Sequence, residues 1–229
     1  MIPLHLRVLT GILRPFFHLL YRQFAWTYDW VAAVVSAGNW QGWVLSVLPE
    51  LDGRVLELGH GPGHLQAALH AREQLVFGLD ASSFMGRLAW RKLSNRSFSP
   101  RLVLGRAQSM PFPNQAFDRV VATFPSEYIS DPPTIKEVWR VLTPGGRLVI
   151  IPFAWITGKR WLERAAAWLF RITAQAPPDL SEAGLTTTAD RMLQPVRQVG
   201  FQVKIERRVM PGSIVVIILA EKPRSLPLR

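Results

Sequence analysis

The sequence predicts a doubly wound α/β fold whose seven-stranded, mostly parallel sheet ends in an antiparallel strand. Three observations carry this. Apolar runs of strand length alternate with stretches of helical length from Val55 to Pro152, the pattern of βαβ units with helices on both faces of a parallel sheet. The first run opens into a glycine turn, Gly59-His60-Gly61-Pro62-Gly63, where chain without Cβ atoms lets backbone approach a ligand. The last two runs, Phe201–Arg208 and Ile214–Ala220, are joined by only Val209-Met210-Pro211-Gly212-Ser213. That link is too short for a helical crossover, so these two strands must be antiparallel.

In order, Val55–Leu58 is the first strand and Leu65–Arg72 the helix after the turn. Leu75–Leu79 is the second strand, ending at Asp80, and Ser82–Arg96 is a helix with Ser82 or Ser83 as its cap. Arg101–Leu104 is a short third strand, and Ala116–Thr123 leads into a fourth through Val120-Val121-Ala122. Ile135–Leu142 is a helix stopped by Thr143-Pro144-Gly145-Gly146, with Arg147–Pro152 as the fifth strand. A helix precedes Phe201. Residues 1–50 and 153–186 stand outside this core and hold seven of the nine tryptophans: Trp26, Trp30, Trp40, Trp43, Trp155, Trp161 and Trp168. The expected organisation is an N-terminal helical segment, 1–50, then a domain over 51–229 with 153–186 as an insertion.

The 229 residues suffice for one domain with appendages, burying about 70–75% of the unfolded surface without staples. There is no cysteine, which excludes disulfides, thiolate metal sites and cysteine nucleophiles. No metal cluster and no Ser/His/Asp triad is legible from spacing. Apolar runs such as Ile214–Ala220 fall far short of the ~20 residues that cross a bilayer. Arg7, Arg14 and Pro15 interrupt any secretory core, so a cytoplasmic location is expected. The net charge of +11 is uneven: no acid lies between Asp80 and Asp118, but Arg87, Arg91, Lys92, Arg96, Arg101 and Arg106 all do. Such a stretch reads as a solvated face or as a site for an anionic partner, nucleic acid or acidic membrane.

The chemistry sits at the glycine turn. Glu57 lies two residues before the first glycine, at the end of an otherwise apolar strand. A carboxylate there suits a cationic ligand group better than a pyrophosphate, and His64 after Gly63 breaks the dinucleotide pattern Gly-x-Gly-x-x-Gly. Glu-x-Gly-x-Gly-x-Gly resembles motif I of the class I S-adenosylmethionine-dependent methyltransferases (type 11-like). The resemblance implies their Rossmann-like sheet with a helical lid, and S-adenosyl-L-methionine as cofactor. Glu57, Gly59, His60, Gly61 and Gly63 would then hold its methionine end. Leu79-Asp80-Ala81 resembles the second motif, with Asp80 seventeen residues after Gly63 and set to accept from the ribose hydroxyls. Gly105-Arg106-Ala107-Gln108 occupies the third, where the usual carboxylate for the adenine amino group is replaced by Arg106. Arginine only donates, so a backbone carbonyl or Gln108 must take that role. Arg140-Val141-Leu142-Thr143-Pro144-Gly145-Gly146 closely matches the element before the fifth strand, a structural stop and turn. Phe124 ends the fourth strand on the side that faces the methyl in this family.

The acceptor is less legible. Tyr28-Asp29, Ser36-Ala37-Gly38 and Trp43 resemble the opening of the menaquinone/ubiquinone C-methyltransferases, but Phe124-Pro125-Ser126-Glu127 stands where that group has Gly-Leu-Arg-Asn. The resemblance implies a lid over the acceptor at 1–50 and 153–186, and its tryptophans suit a lipophilic or aromatic small molecule. Alternatively they form a Trp-rich satellite core. Tyr28 and Tyr128 are the catalytic candidates, with Glu127, His60 and His64 as further contacts near the methyl. A stripe of Trp161, Ala165, Trp168 and Ile172 beside basic residues, and a basic face of Arg7, Arg14 and His18, suit peripheral contact with a membrane. Nucleic acid is a weaker partner. The alternatives to a small-molecule methyltransferase are an RNA methyltransferase using the basic patch and a non-catalytic binding module of the same fold.

Overall fold

The computed structural model describes residues 38–157 and 193–224. In chain order its elements are α1 (Trp40–Leu45), β1 (Arg54–Leu58), α2 (His64–His70), β2 (Leu75–Asp80), α3 (Ser83–Ser94), β3 (Leu102–Leu104), β4 (Phe117–Thr123), α4 (Pro132–Val141), β5 (Leu142–Ile151), β6 (Ala154–Ile156), α5 (193–199), β7 (Gln202–Met210) and β8 (Ser213–Glu221). The chain forms two compact units. Among the described residues, the larger holds 44–152, 193–208 and 216–224, and the smaller holds 38–43, 153–157 and 209–215.

In the larger unit the strands run β3-β2-β1-β4-β5-β8. The first five are parallel, and β8 lies antiparallel on β5 with Leu148 opposite Ala220. β7 pairs with β8 across a turn of only Pro211 and Gly212. Side chains alternate across the sheet. Leu56 and Leu58 join a buried cluster with Ile135, Val138 and Val141 of α4 and Leu193 and Val196 of α5. Between them Glu57 points the other way, toward α2, where Gln66 meets it. Helices therefore cover both faces, and β1, with both neighbours parallel, is apolar after Arg54 except at this one acid.

In the smaller unit, β6 pairs antiparallel with the first residues of β8, Ala154 opposite Val215. The fully buried Trp43 donates its indole N–H to Ser213 Oγ at 2.9 Å. Trp43 is thus a packed core residue. Among the described residues the sheet has eight strands rather than seven. The extra one, β6, falls in the expected insertion at 153–186. Three residues give no period-2 signal, and only their pairing with β8 makes them a strand.

The element expected to stop α4 proves to be part of β5. α4 begins earlier than expected, because Pro132 and Pro133 occupy its first turn, where their missing N–H costs nothing. It ends at Val141, and Leu142 is already extended. Pairing with β4 then jumps from Phe117↔Leu142 to Arg119↔Arg147, so residues 143–146 bulge out against Asp118 alone. The helix end is capped from β8 instead. The buried Lys222 donates to the carbonyls of Trp139 (2.7 Å) and Leu142 (2.8 Å), serving terminal acceptors and the negative end of the helix dipole together. Lys222→Met keeps the stem and removes both bonds. It should cost about 2–4 kcal/mol, read as a lower urea midpoint at unchanged slope.

Candidate functional site

The strand order reverses direction between β1 and β4, and ligands of open α/β sheets bind outside the carboxyl ends of the strands at that point. Gly59 leaves β1 there, its N–H donating to Leu79 O at 2.7 Å. A cavity of about 490 Å³ opens here, lined by the ends of β1 and β2, the 105–108 turn, Ser126 and Tyr128. Gly59 has φ +66, and a Cβ on it would lie 2.8 Å from Tyr128 Oη. Gly63 has φ +80, and its Cβ would lie 3.0 Å from that of Ala89 on α3. Both glycines answer to backbone conformation and close packing at once.

Asp80 is the best-defined group in the cavity. Gly61 N–H donates to its Oδ2 at 2.9 Å and Ser82 N–H to its Oδ1 at 2.7 Å. Its own carbonyl accepts from Gly105 N–H at 3.0 Å. The glycine turn and the start of α3 thus clamp the carboxylate from two sides. Each oxygen keeps a lone pair, so a vicinal diol can donate to both. Ser82 also caps α3, its hydroxyl accepting from Met85 N–H at 3.3 Å.

Glu57 does not line this cavity. It is buried on the α2 side of the sheet and accepts from Gln66 Nε2 at 2.8 Å. Burial, opposed by the Gln66 bond and reinforced by the charge of Asp80, pushes its pKa up to about 8. At neutral pH it is a protonated acid. Gln66 Oε1 is buried without a hydrogen-bond partner.

Tyr128 lines the cavity, but as a neutral phenol that donates to Leu58 O at 3.2 Å. Burial, with the charges of Asp80 and Glu57, pushes its pKa well above the ordinary value. It therefore cannot serve as a base at neutral pH, and its place over Gly59 makes it a positioning residue. His60 is likewise buried, and burial lowers its pKa. Its Nδ1–H donates to Gly61 O at 2.8 Å, which fixes a neutral tautomer outside this cavity. His64 sits beside Lys92 Nζ, and Glu127 is exposed in a 3₁₀ turn.

In the 105–108 turn, Arg106 is exposed and Gln108 donates Nε2 to Asp131 Oδ2 at 3.1 Å, leaving its carbonyl oxygen as the side-chain acceptor of that turn. Phe124 follows β4 with φ +49 and donates its N–H to Ile151 O at 2.7 Å. A left-handed bulky residue is strained, and this one stands at the carboxyl end of β4.

Of the sequence-derived set, Gly59, Asp80, Ala81, Arg106, Ala107, Gln108 and Tyr128 come together around the cavity. Glu57, His60, Gly61, Gly63 and Phe124 are not among its lining residues; the first four build the floor and turn beneath it. Tyr28, the 1–18 face and the Trp161–Ile172 stripe lie outside the described residues, as does most of the expected lid. Sequence reasoning missed Leu79, Ser82, Gly105 and Ser126 as lining residues. Ser82 carried a signal, a helix cap two residues after an acid that ends a strand. The others line the cavity through their position on the backbone and carried none.

A carboxylate clamped at the end of β2, across the switch point from a glycine turn, within a sheet closed by an antiparallel strand, resembles the arrangement of class I S-adenosylmethionine-dependent methyltransferase domains. Residues 56–150 match the family described as "Methyltransferase domain". The chain resembles the demethylmenaquinone methyltransferases. It is 31% identical over 142 residues to that of Symbiobacterium thermophilum, covering 58% of this chain and 57% of the relative. It is 29% identical over 206 residues to that of Thermotoga maritima, covering 82% and 88%. The chain thus spans little more than half the length of the first of these. Among solved structures, an S-adenosylmethionine-dependent methyltransferase from Aquifex aeolicus shares the fold with a TM-score of 0.54 at 20% identity, covering 78% of this chain and 89% of that one.

Proposed function

We propose that this chain transfers a methyl group from S-adenosyl-L-methionine to a small lipophilic acceptor of the quinol class. The observation that carries the cofactor half is the clamped Asp80 carboxylate in a 490 Å³ cavity at the switch point. The acceptor half rests on the resemblance to demethylmenaquinone methyltransferases and on the Trp-rich composition of 1–50 and 153–186.

When bound, S-adenosylmethionine supplies an electrophilic methyl on a sulfonium. The chain's residues supply position. Asp80 would accept from the ribose diol, the main chain around Gly59 would hold the methionine end, and the 105–108 turn would meet adenine through Gln108 and backbone atoms. The anionic Asp80 favours a cationic ligand, and the displacement needs alignment and exclusion of water more than acid–base chemistry. No protein base is assigned: Tyr128 is a hydrogen-bonded phenol, and His60 does not line the cavity. An activated quinol ring or its phenolate can attack without one.

The test is methyl transfer from labelled S-adenosylmethionine to a demethylated naphthoquinol or benzoquinol, run beside unmodified transfer RNA. Label in the extracted quinone supports the reading. Label in the RNA, or none in any acceptor despite cofactor binding, overturns the acceptor class. Failure to bind S-adenosylhomocysteine overturns the enzymatic reading and leaves a binding module of the same fold.

A further inference from the structure

Within the acid-free stretch between Asp80 and Asp118, α3 and the edge strand β3 bring basic and apolar side chains side by side in the larger unit. Helical spacing puts Phe84, Arg87, Trp90 and Arg91 on the exposed side of α3, all of them exposed. Trp90 is 57% accessible, and Leu104 on the neighbouring edge strand β3 is 64% accessible. A second cavity of about 520 Å³ lies between them. Its walls include Arg87, Trp90, Arg91 and Leu104. Arg101 and Arg106 flank the same edge. None of Arg87, Arg91, Arg96, Arg101 or Arg106 pairs with a carboxylate among the described residues. The acid at the cavity floor, Asp80, already accepts two backbone N–H groups. β3, only three residues long, pairs with β2 alone.

Unpaired guanidinium groups beside an exposed indole and aliphatic side chains ask for a partner that is anionic and apolar within a few ångströms. A lipid interface supplies this, with phosphates at headgroup depth and hydrocarbon just below. Single-stranded nucleic acid would use the arginines and Trp90 but gives Leu104 no counterpart. We propose that the α3–β3 face docks the protein onto an anionic phospholipid membrane, Arg87 and Arg91 meeting lipid phosphates while Trp90 and Leu104 enter the interface. The inference does not rest on the acceptor reading, because vesicle binding needs neither cofactor nor turnover.

The experiment is co-sedimentation of the full chain with vesicles of phosphatidylcholine alone and of phosphatidylcholine with phosphatidylglycerol. It compares wild type, R87E/R91E, W90A and a charge-matched control, K136E/R197E, and competes with poly(U). The expected result is binding only to the anionic vesicles. R87E/R91E should weaken it more than about tenfold, W90A should also weaken it, and the control should retain it. Unchanged cofactor binding by the variants would show that they are folded. Undiminished vesicle binding by R87E/R91E overturns the proposal, and so does an equal loss in the control, which would make net charge the cause. Binding of poly(U) through the same residues without vesicle binding overturns it in favour of nucleic acid.

Discussion

Asp80→Ala should abolish measurable binding of S-adenosylhomocysteine while the protein still unfolds cooperatively. Two ribose hydroxyls donating to one carboxylate are charge-assisted bonds worth about 1.5–3 kcal/mol each. Losing both predicts a fall in affinity on the order of 10²–10⁴-fold. The substitution also releases Gly61 N–H and Ser82 N–H, so the turn loses the group that holds it against α3. Asp80→Asn is the sharper variant. Its amide presents an NH₂ to one of those two backbone donors, donor facing donor, so it should behave much more like alanine than its shape suggests. Isothermal titration of the three proteins decides this. Wild-type affinity in the alanine variant would remove Asp80 from the site.

Glu57→Gln should stabilise the cofactor-free protein, and increasingly so as pH rises. A buried acid whose pKa rises from 4.5 to about 8 on folding holds its proton in the folded state while the unfolded chain ionises. Its contribution to stability is fully present below about pH 4.5 and is lost as pH rises through about 8. Glutamine does not titrate, and its NH₂ can donate to the unpartnered Gln66 Oε1. The variant's advantage should grow by about 1.4 kcal/mol per pH unit across that window, reaching on the order of 4 kcal/mol. Urea unfolding at pH 5 and pH 8 measures it, and parallel pH profiles for variant and wild type would refute it. Glu57→Ala should instead destabilise at pH 5, because it leaves a cavity and takes from Gln66 Nε2 its 2.8 Å acceptor, with only Phe77 O at 3.3 Å remaining.

The two glutamate variants also separate what a motif names from what it does. The sequence pattern groups Glu57 with the glycines, and its polarity in an apolar strand marks it as special. Strand periodicity alone could not tell which face it takes. The pairing of β1 between β2 and β4 turns it toward α2 and Gln66, beneath the turn and out of the cavity. Tyr128 shows the same division. Its place after β4 made it a catalytic candidate, yet its contact with Gly59 and the Leu58 carbonyl comes from residues about seventy positions away. That contact fixes it as a neutral donor.

By itself, the sequence determined the alternation of strands and helices, the glycine turn, Asp80 at the end of the second strand and the antiparallel finish. All of these follow from local periodicity, turn chemistry or the length of a link. Only the tertiary structure decided the order of strands in the sheet and β6 as a strand. It also decided the bulge of residues 143–146 within β5 and the capping of α4 by Lys222. The reason is shared: each depends on groups far apart in the chain, and hydrogen bonds between distant segments leave no periodic trace in either one.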